Sequence, residues 1–184
     1  MRIAITGNEG YIGRVVEARL LADGHEIIGI DRKSGQNYHD VKNCWADVLV
    51  HLGAFISVGE SESSPEAYWD NNVHSYSKFL CDNGNMFKRV IFASTYAVYD
   101  GTGGVKPSSV YGWTKLAGEQ ITRNYTKNSL CLRFANPVGA YESLHKELLK
   151  APSPYPNVAL MMAKCAANPE GRPFQIHQRP GMTR

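Results

Sequence analysis

Apolar positions change their period repeatedly along the chain. Arg2–Thr6 is a short β-rich run. Tyr11–Leu21 then places Ile12, Val15, Val16 and Leu20 at helical spacing, and Ala22-Asp23-Gly24 supplies a stop. Glu26–Asp31 and the almost wholly apolar Asp47–Leu52 read as strands. Pro65–Asn83 reads as one helix with proline in its first turn. Arg89–Ser94 is a strand, Ser109–Tyr125 a helix and Ser129–Phe134 a strand. Pro156–Ala167 is expected to be helical and Pro173–His177 to form a last short strand. The alternation predicts an α/β domain: a doubly wound, mostly parallel sheet with helices on both faces.

The first strand–helix turn, Thr6-Gly7-Asn8-Glu9-Gly10-Tyr11-Ile12-Gly13, carries three glycines. Gly7 permits the tight turn, Gly10 lets a pyrophosphate approach the backbone, and Gly13 lets the helix pack against the sheet. Glycine triplets also occur in ordinary turns. Here an acid, Asp31, ends the next strand, where a carboxylate accepts from a ribose 2′-hydroxyl and repels a 2′-phosphate. That favours NAD over NADP, although Arg32 and Lys33 follow at once and are able to serve a phosphate. The plainer alternative for Asp31 is a solvated strand-end acid.

A second constellation is Tyr111-Gly112-Trp113-Thr114-Lys115. Tyrosine and lysine four apart share a helix face, and an ammonium beside a phenol lowers its pKa toward that of a usable base. A surface aromatic–cation pair is the bland reading of the same spacing. Thr95 ends the preceding strand, where ligands bind in such sheets; taken alone it is a turn cap.

Charge and cysteine content narrow the classes. Net charge is +3, from 20 basic and 17 acidic residues with the signs interleaved, so no basic stripe for nucleic acid is present. No apolar run approaches the roughly 18–20 residues that span a bilayer. Met1-Arg2-Ile3-Ala4-Ile5 already reads as the first strand, so no signal peptide is expected. Cys44, Cys81, Cys131 and Cys165 show no CxxC spacing, so neither metal site nor disulfide framework is expected; their apolar neighbours suggest buried thiols in a reduced, cytoplasmic setting.

With these segments the chain resembles the extended short-chain dehydrogenase/reductases of the NAD-dependent epimerase/dehydratase family, most of all the UDP-glucose (UDP-galactose) 4-epimerase branch. The matching segments are Thr6–Gly13, His51-Leu52-Gly53-Ala54, Val58-Gly59-Glu60-Ser61 with Pro65 beyond, Asp70-Asn71-Asn72-Val73, Tyr111–Lys115 and Asn136-Pro137-Val138-Gly139-Ala140. The resemblance implies a Rossmann-type NAD-binding domain over residues 1–140 and a shortened substrate-binding region over 141–184. It implies cofactor contacts from Gly7, Gly10, Tyr11, Ile12, Gly13, Asp31, Arg32, Leu52, Gly53, Ala54, Asn72, Ser94, Tyr111, Lys115 and Phe134. Thr95, Tyr111 and Lys115 would be catalytic: Tyr111 takes the proton of the sugar 4-hydroxyl, Thr95 bonds the same oxygen, and Lys115 holds the nicotinamide ribose. Thr95, Asn136 and Asn157 would meet the nucleotide-sugar, with a UDP-hexose favoured. A homodimer is compatible with the resemblance, through the helices of Pro65–Asn83 and Tyr111–Lys115.

The chain departs from the family pattern in three places. Only the 15 residues Arg32–Ala46 separate Asp31 from the next strand, too few for the family's extra strand and helix. The expected sheet order is therefore 2-1-4-5-6 in the usual six-strand numbering, with Glu26–Asp31 at an edge. Tyr38 or Trp45 would cover either the adenine or that edge. Ile56 stands where the nearest epimerases carry a lysine, and the chain stops at Arg184, short of the carboxyl-terminal region that the resemblance leads one to expect; Arg184 itself falls about where relatives use an arginine on the diphosphate. Rival readings are a sugar dehydratase or reductase, against which Tyr96-Ala97 replaces the expected acid pair after Thr95, and an NAD-binding sensing or regulatory module without turnover.

Overall fold

The computed structural model describes residues 1–138. The expected helix Pro156–Ala167, the strand Pro173–His177, Asn157 and Arg184 lie outside the described residues. The chain divides into two compact units, Met1–Ala135 and Asn136–Arg184, where the sequence draws its division after residue 140.

Five strands form the sheet of the first unit: β1 (Arg2–Thr6), β2 (Glu26–Ile30), β3 (Ala46–His51), β4 (Phe87–Thr95) and β5 (Ser129–Phe134). Their spatial order is β2-β1-β3-β4-β5, with every pairing parallel. Among the described residues β2 is an edge strand, as the shortened connection requires. Helix α1 (Tyr11–Ala22) covers one face, where Val16 and Leu20 pack on Ile3, Ile5 and Val50. The larger apolar cluster lies on the other face. There Tyr76, Phe79 and Leu80 of helix α4 (Ser75–Asn83) and Ile121 of helix α5 (Val110–Tyr125) meet Ala4, Leu49, Val90 and Phe92.

The connection Arg32–Ala46 makes only two short 3₁₀ turns, Arg32–Ser34 and Tyr38–Asp40. Three polar ties replace a packed crossover helix. The Tyr38 phenol donates to the Asn71 carbonyl. Asn83 accepts from the Cys44 amide at 2.9 Å and donates to the Val41 carbonyl at 2.8 Å. Lys78 donates to the His39 carbonyl at 3.0 Å. Tyr38 is buried in the core, edge-on to His51 and Phe79, so it is no adenine cover. Trp45 is exposed just before β3, with the Arg2 guanidinium of β1 5.6 Å from its ring centroid.

One expectation needs correction and another a refinement. The stretch Pro65–Asn83 is helical throughout, as expected, but contains a π-helical turn. Pro65, which has no N–H to give, starts helix α3 (Pro65–Trp69) against the end of α2 (Val58–Ser63). A π-helical turn at Asp70–His74 then leads into α4. Not all of the thiols are buried: Cys44 is, but Cys81 is exposed and Cys131 only half-buried. Among the described residues, no helix is long and apolar enough to cross a membrane, and no group of three or more His, Cys, Asp or Glu side chains could hold a metal ion.

Candidate active site

Parallel strands bring their carboxyl ends to one edge, and the candidate residues line up along it. In spatial order they are Asp31 after β2, the glycine turn after β1, Leu52–Ala54 after β3, Ser94 and Thr95 at the end of β4, and Phe134 at the end of β5. The chain winds in opposite directions from β1 and β3, and the two turns touch there. Gly7 sits at φ +73°, and a Cβ on it would lie 2.8 Å from the Gly53 nitrogen. A Cβ on Gly13 would lie 2.1 Å from the Gly7 carbonyl, so glycine is what allows α1 to start so close to the turn. The N-terminus of α1 has no side-chain cap and no acid in its first turn. Its partial positive charge therefore suits an anion.

Asp31 reaches back to this turn. Its carboxylate accepts from the Glu9 amide at 3.1 Å and the Lys33 amide at 2.9 Å. Lys33 donates its ammonium to the Glu9 carbonyl at 3.0 Å, and the Arg32 guanidinium lies 4.7 Å over the Phe55 ring. Both cations are thus engaged with protein. Tyr11 begins α1, half-buried. Ile12, Leu52 and Phe134 share the walls of an apolar groove of about 410 Å³ on the α1 face of the sheet.

Asn72 occupies the π-helical turn and is buried. Its carbonyl accepts from the Phe55 amide at 2.8 Å, and its amide donates to the Phe55 carbonyl at 3.0 Å and the Thr114 hydroxyl at 3.2 Å. It fixes the loop after β3 to α5, and in this structure that use engages both ends of its side chain. Ile56, in the same loop, is exposed. Asn136 is exposed and lies in the second unit.

The end of β4 and the start of α5 bring the chemistry together. Ser109 caps α5 through the Gly112 amide at 3.1 Å. From α2, Glu62 accepts from the Val110 amide at 2.9 Å and Ser61 from the Tyr111 amide at 3.1 Å. These satisfy N–H groups that a helix start leaves without partners. Gly112 lets the helix approach the loop after β4, since a Cβ there would lie 2.5 Å from the Ala97 carbonyl. Across that approach the Tyr111 side chain hydrogen-bonds Thr95, whose hydroxyl oxygen also accepts from the Ala97 amide at 3.1 Å.

Burial raises the Tyr111 phenol above its ordinary pKa, while the Thr95 hydrogen bond pulls it down. This corrects the expectation that Lys115 lowers it: the Lys115 ammonium points instead at the Phe92 ring, 4.3 Å from its centroid. Burial pushes Lys115 down to about 7, against the opposing influence of Cys131 and Glu119. His51, one strand over, is held well below its usual value, first by burial and then by the Lys115 charge. It is neutral, hydrogen-bonded to the Thr6 hydroxyl at 2.8 Å and stacked on Tyr76.

Several site-building residues were not singled out in the sequence: Ser61 and Gly112 sit within quoted motifs without an assigned role, and Glu62, Gly118, Glu119 and Arg133 lie outside them. A Cβ on Gly118 would lie 2.4 Å from the Phe92 ring. The periodic spacing of Tyr111, Lys115 and Glu119 is the one signal in the sequence that pointed toward Glu119.

The chain as a whole is similar to known proteins. Residues 3–151 match the NAD dependent epimerase/dehydratase family. The chain belongs to that family. A UDP-glucose 4-epimerase of Corynebacterium glutamicum is 30% identical over 176 residues, covering 78% of this chain and 54% of the relative. One from Lacticaseibacillus casei is 31% identical over 175 residues, covering 76% and 53%. Among solved structures, a UDP-galactose 4-epimerase superposes with a TM-score of 0.71 at 26% identity, over 92% of this chain and 64% of that one. MoeE5 in complex with UDP-glucose and NAD superposes with a TM-score of 0.64 at 26% identity, over 73% and 54%. The chain spans about half the length of the curated relatives it matches.

Proposed function

We propose that this family member is an NAD-dependent enzyme acting on a nucleotide-sugar, an epimerase that oxidises and re-reduces sugar C4. The observation that carries the reading is the Thr95–Tyr111 hydrogen bond at the carboxyl edge of the sheet, with Lys115 one helical turn inward.

The residues present fit NAD. The uncapped N-terminus of α1 and the side-chain-free turn at Gly7, Gly10 and Gly13 suit a diphosphate, and Asp31 keeps lone pairs for a ribose hydroxyl. Lys115 and Ser94 would hold the nicotinamide end of such a cofactor. NAD, when bound, would supply the redox chemistry by accepting and giving back a hydride. Tyr111 is the group through which the proton of the sugar 4-hydroxyl passes. Its raised pKa keeps it protonated in the free protein, and Lys115 would favour its ionised form only by turning its ammonium from Phe92 toward the phenol. The Thr95 hydroxyl bonds the same substrate oxygen and holds it in line with the phenol. Leu52 and Ile12 keep the face beneath them dry.

The names of the relatives favour a UDP-hexose as substrate. Resemblance to the dehydratases of the family would lead one to expect an acid pair after Thr95, and Tyr96 and Ala97 offer none. Purified protein is expected to interconvert UDP-glucose and UDP-galactose with NAD present. NAD binding by calorimetry without turnover of any UDP-hexose would favour the binding module instead.

A further inference from the structure

Tyr111, Lys115 and Glu119 follow one another at four-residue steps, so they form one row on the inner face of α5. Glu119 at the deep end of that row is fully buried. A carboxylate in such a place is costly unless its lone pairs are taken up. They are: Ser94 Oγ donates at 2.6 Å, Arg133 Nε at 2.7 Å and Nη2 at 2.8 Å, and Arg123 Nη2 stands at 3.4 Å. Burial alone would raise the Glu119 carboxyl, but the bonds from Arg133 and Ser94 and the charges of Arg133 and Arg123 outweigh it and keep it ionised.

Two partners of this carboxylate sit beside Thr95. Ser94 is its chain neighbour, and Arg133 is the residue paired with Ser94 across β4 and β5. Arg133 also lies 4.8 Å over the Tyr99 ring, at the far end of the turn that Thr95 begins. An ion pair serving stability alone could sit anywhere along α5. This one grips both strands at the residue before Thr95.

Resting on the reading of Thr95 and Tyr111 as the proton-transfer pair, we infer that Glu119 is a positioning residue: it clamps the Ser94–Thr95 end of β4 to the inner face of α5, so that the Thr95 hydroxyl meets the Tyr111 phenol. The clamp acts through backbone geometry, and Glu119 touches neither reacting group.

The test reads the Thr95–Tyr111 hydrogen bond without substrate. Protein labelled with ¹³Cζ-tyrosine is titrated through alkaline pH, and the Tyr111 signal is assigned by its disappearance in Tyr111→Phe. The other polar groups at Tyr111, namely Lys115 on α5 with Ser61 and Glu62 on α2, are kept in every variant. Thr95→Val removes the bond that lowers the phenol, so its midpoint moves up. Glu119→Gln should also move it up, and the double variant should go no further than Thr95→Val alone. If Glu119→Gln does not fold, Ser94→Ala cuts the same link at the cost of one hydrogen bond and should shift Tyr111 the same way. Turnover of UDP-glucose by Glu119→Gln should show kcat lowered by about 10²-fold, the scale of a misplaced reacting group, with KM unchanged. An unchanged Tyr111 midpoint in folded Glu119→Gln or Ser94→Ala, or a shift that adds in full to that of Thr95→Val, overturns the inference. If the unaltered protein turns over no nucleotide-sugar, the proposed function falls, and the titration still decides the role of Glu119.

Discussion

At Asp31 one carboxylate secures the glycine turn through the Glu9 amide, and under the proposed function it would also accept from a ribose hydroxyl. Asp31→Ala should weaken NAD binding by about 1.5–3 kcal/mol, the value of a charged hydrogen bond, and narrow the preference over NADP. Calorimetry in which the unaltered protein binds NADP as tightly as NAD would contradict the assignment. Lys115 gives a prediction in pH. Its folded pKa of about 7 lies below the ordinary lysine value of 10.5, so between these values the unfolded chain binds more protons. Stability therefore rises with pH across that window, and the burial penalty is fully present below it. Lys115→Met should abolish this rise; thermal melts of both proteins from neutral to mildly alkaline pH would show it. Thr95, Tyr111 and Asp31 were legible in the sequence because strand ends and four-residue spacing locate them. Glu119 was not, because a glutamate on a helix reads as a solvent-facing residue until its partners on β4 and β5 are seen.

Elements meet where side chains are missing. Gly112 faces the Ala97 carbonyl and Gly118 the Phe92 ring, so α5 lies close against β4 and the loop after it. Gly112→Ala would drive a methyl group into backbone that cannot turn aside. An overpacking cost of about 1–3 kcal/mol is expected, and the Thr95–Tyr111 hydrogen bond should break as the helix moves out. Urea unfolding gives the first, and the Tyr111 titration the second. A Gly112→Ala protein as stable as the parent would show that the close approach is not needed. The strands and α1 followed from apolar period and turn residues. The helix Pro65–Asn83 followed too, but not its π-helical turn: the Asn71-Asn72 pair reads as ordinary helix, and only the Phe55 loop and Thr114 show what the inward-turned Asn72 holds.

On the scale of the whole molecule, the sheet order follows from one short connection. Fifteen residues cannot hold a strand and crossover helix, so β2 stays at the edge, and Tyr38 and Asn83 tie the connection down. That order sets the glycine turn, the β3 loop and the β4 end side by side, which is the basis for reading one site along one edge. The interconversion of UDP-glucose and UDP-galactose by unaltered and Tyr111→Phe protein, with NAD binding measured on the same samples, tests this most directly. Turnover in the unaltered protein should fall by about 10²–10⁴-fold in Tyr111→Phe while NAD remains bound. Turnover that survives Tyr111→Phe undiminished would contradict the account.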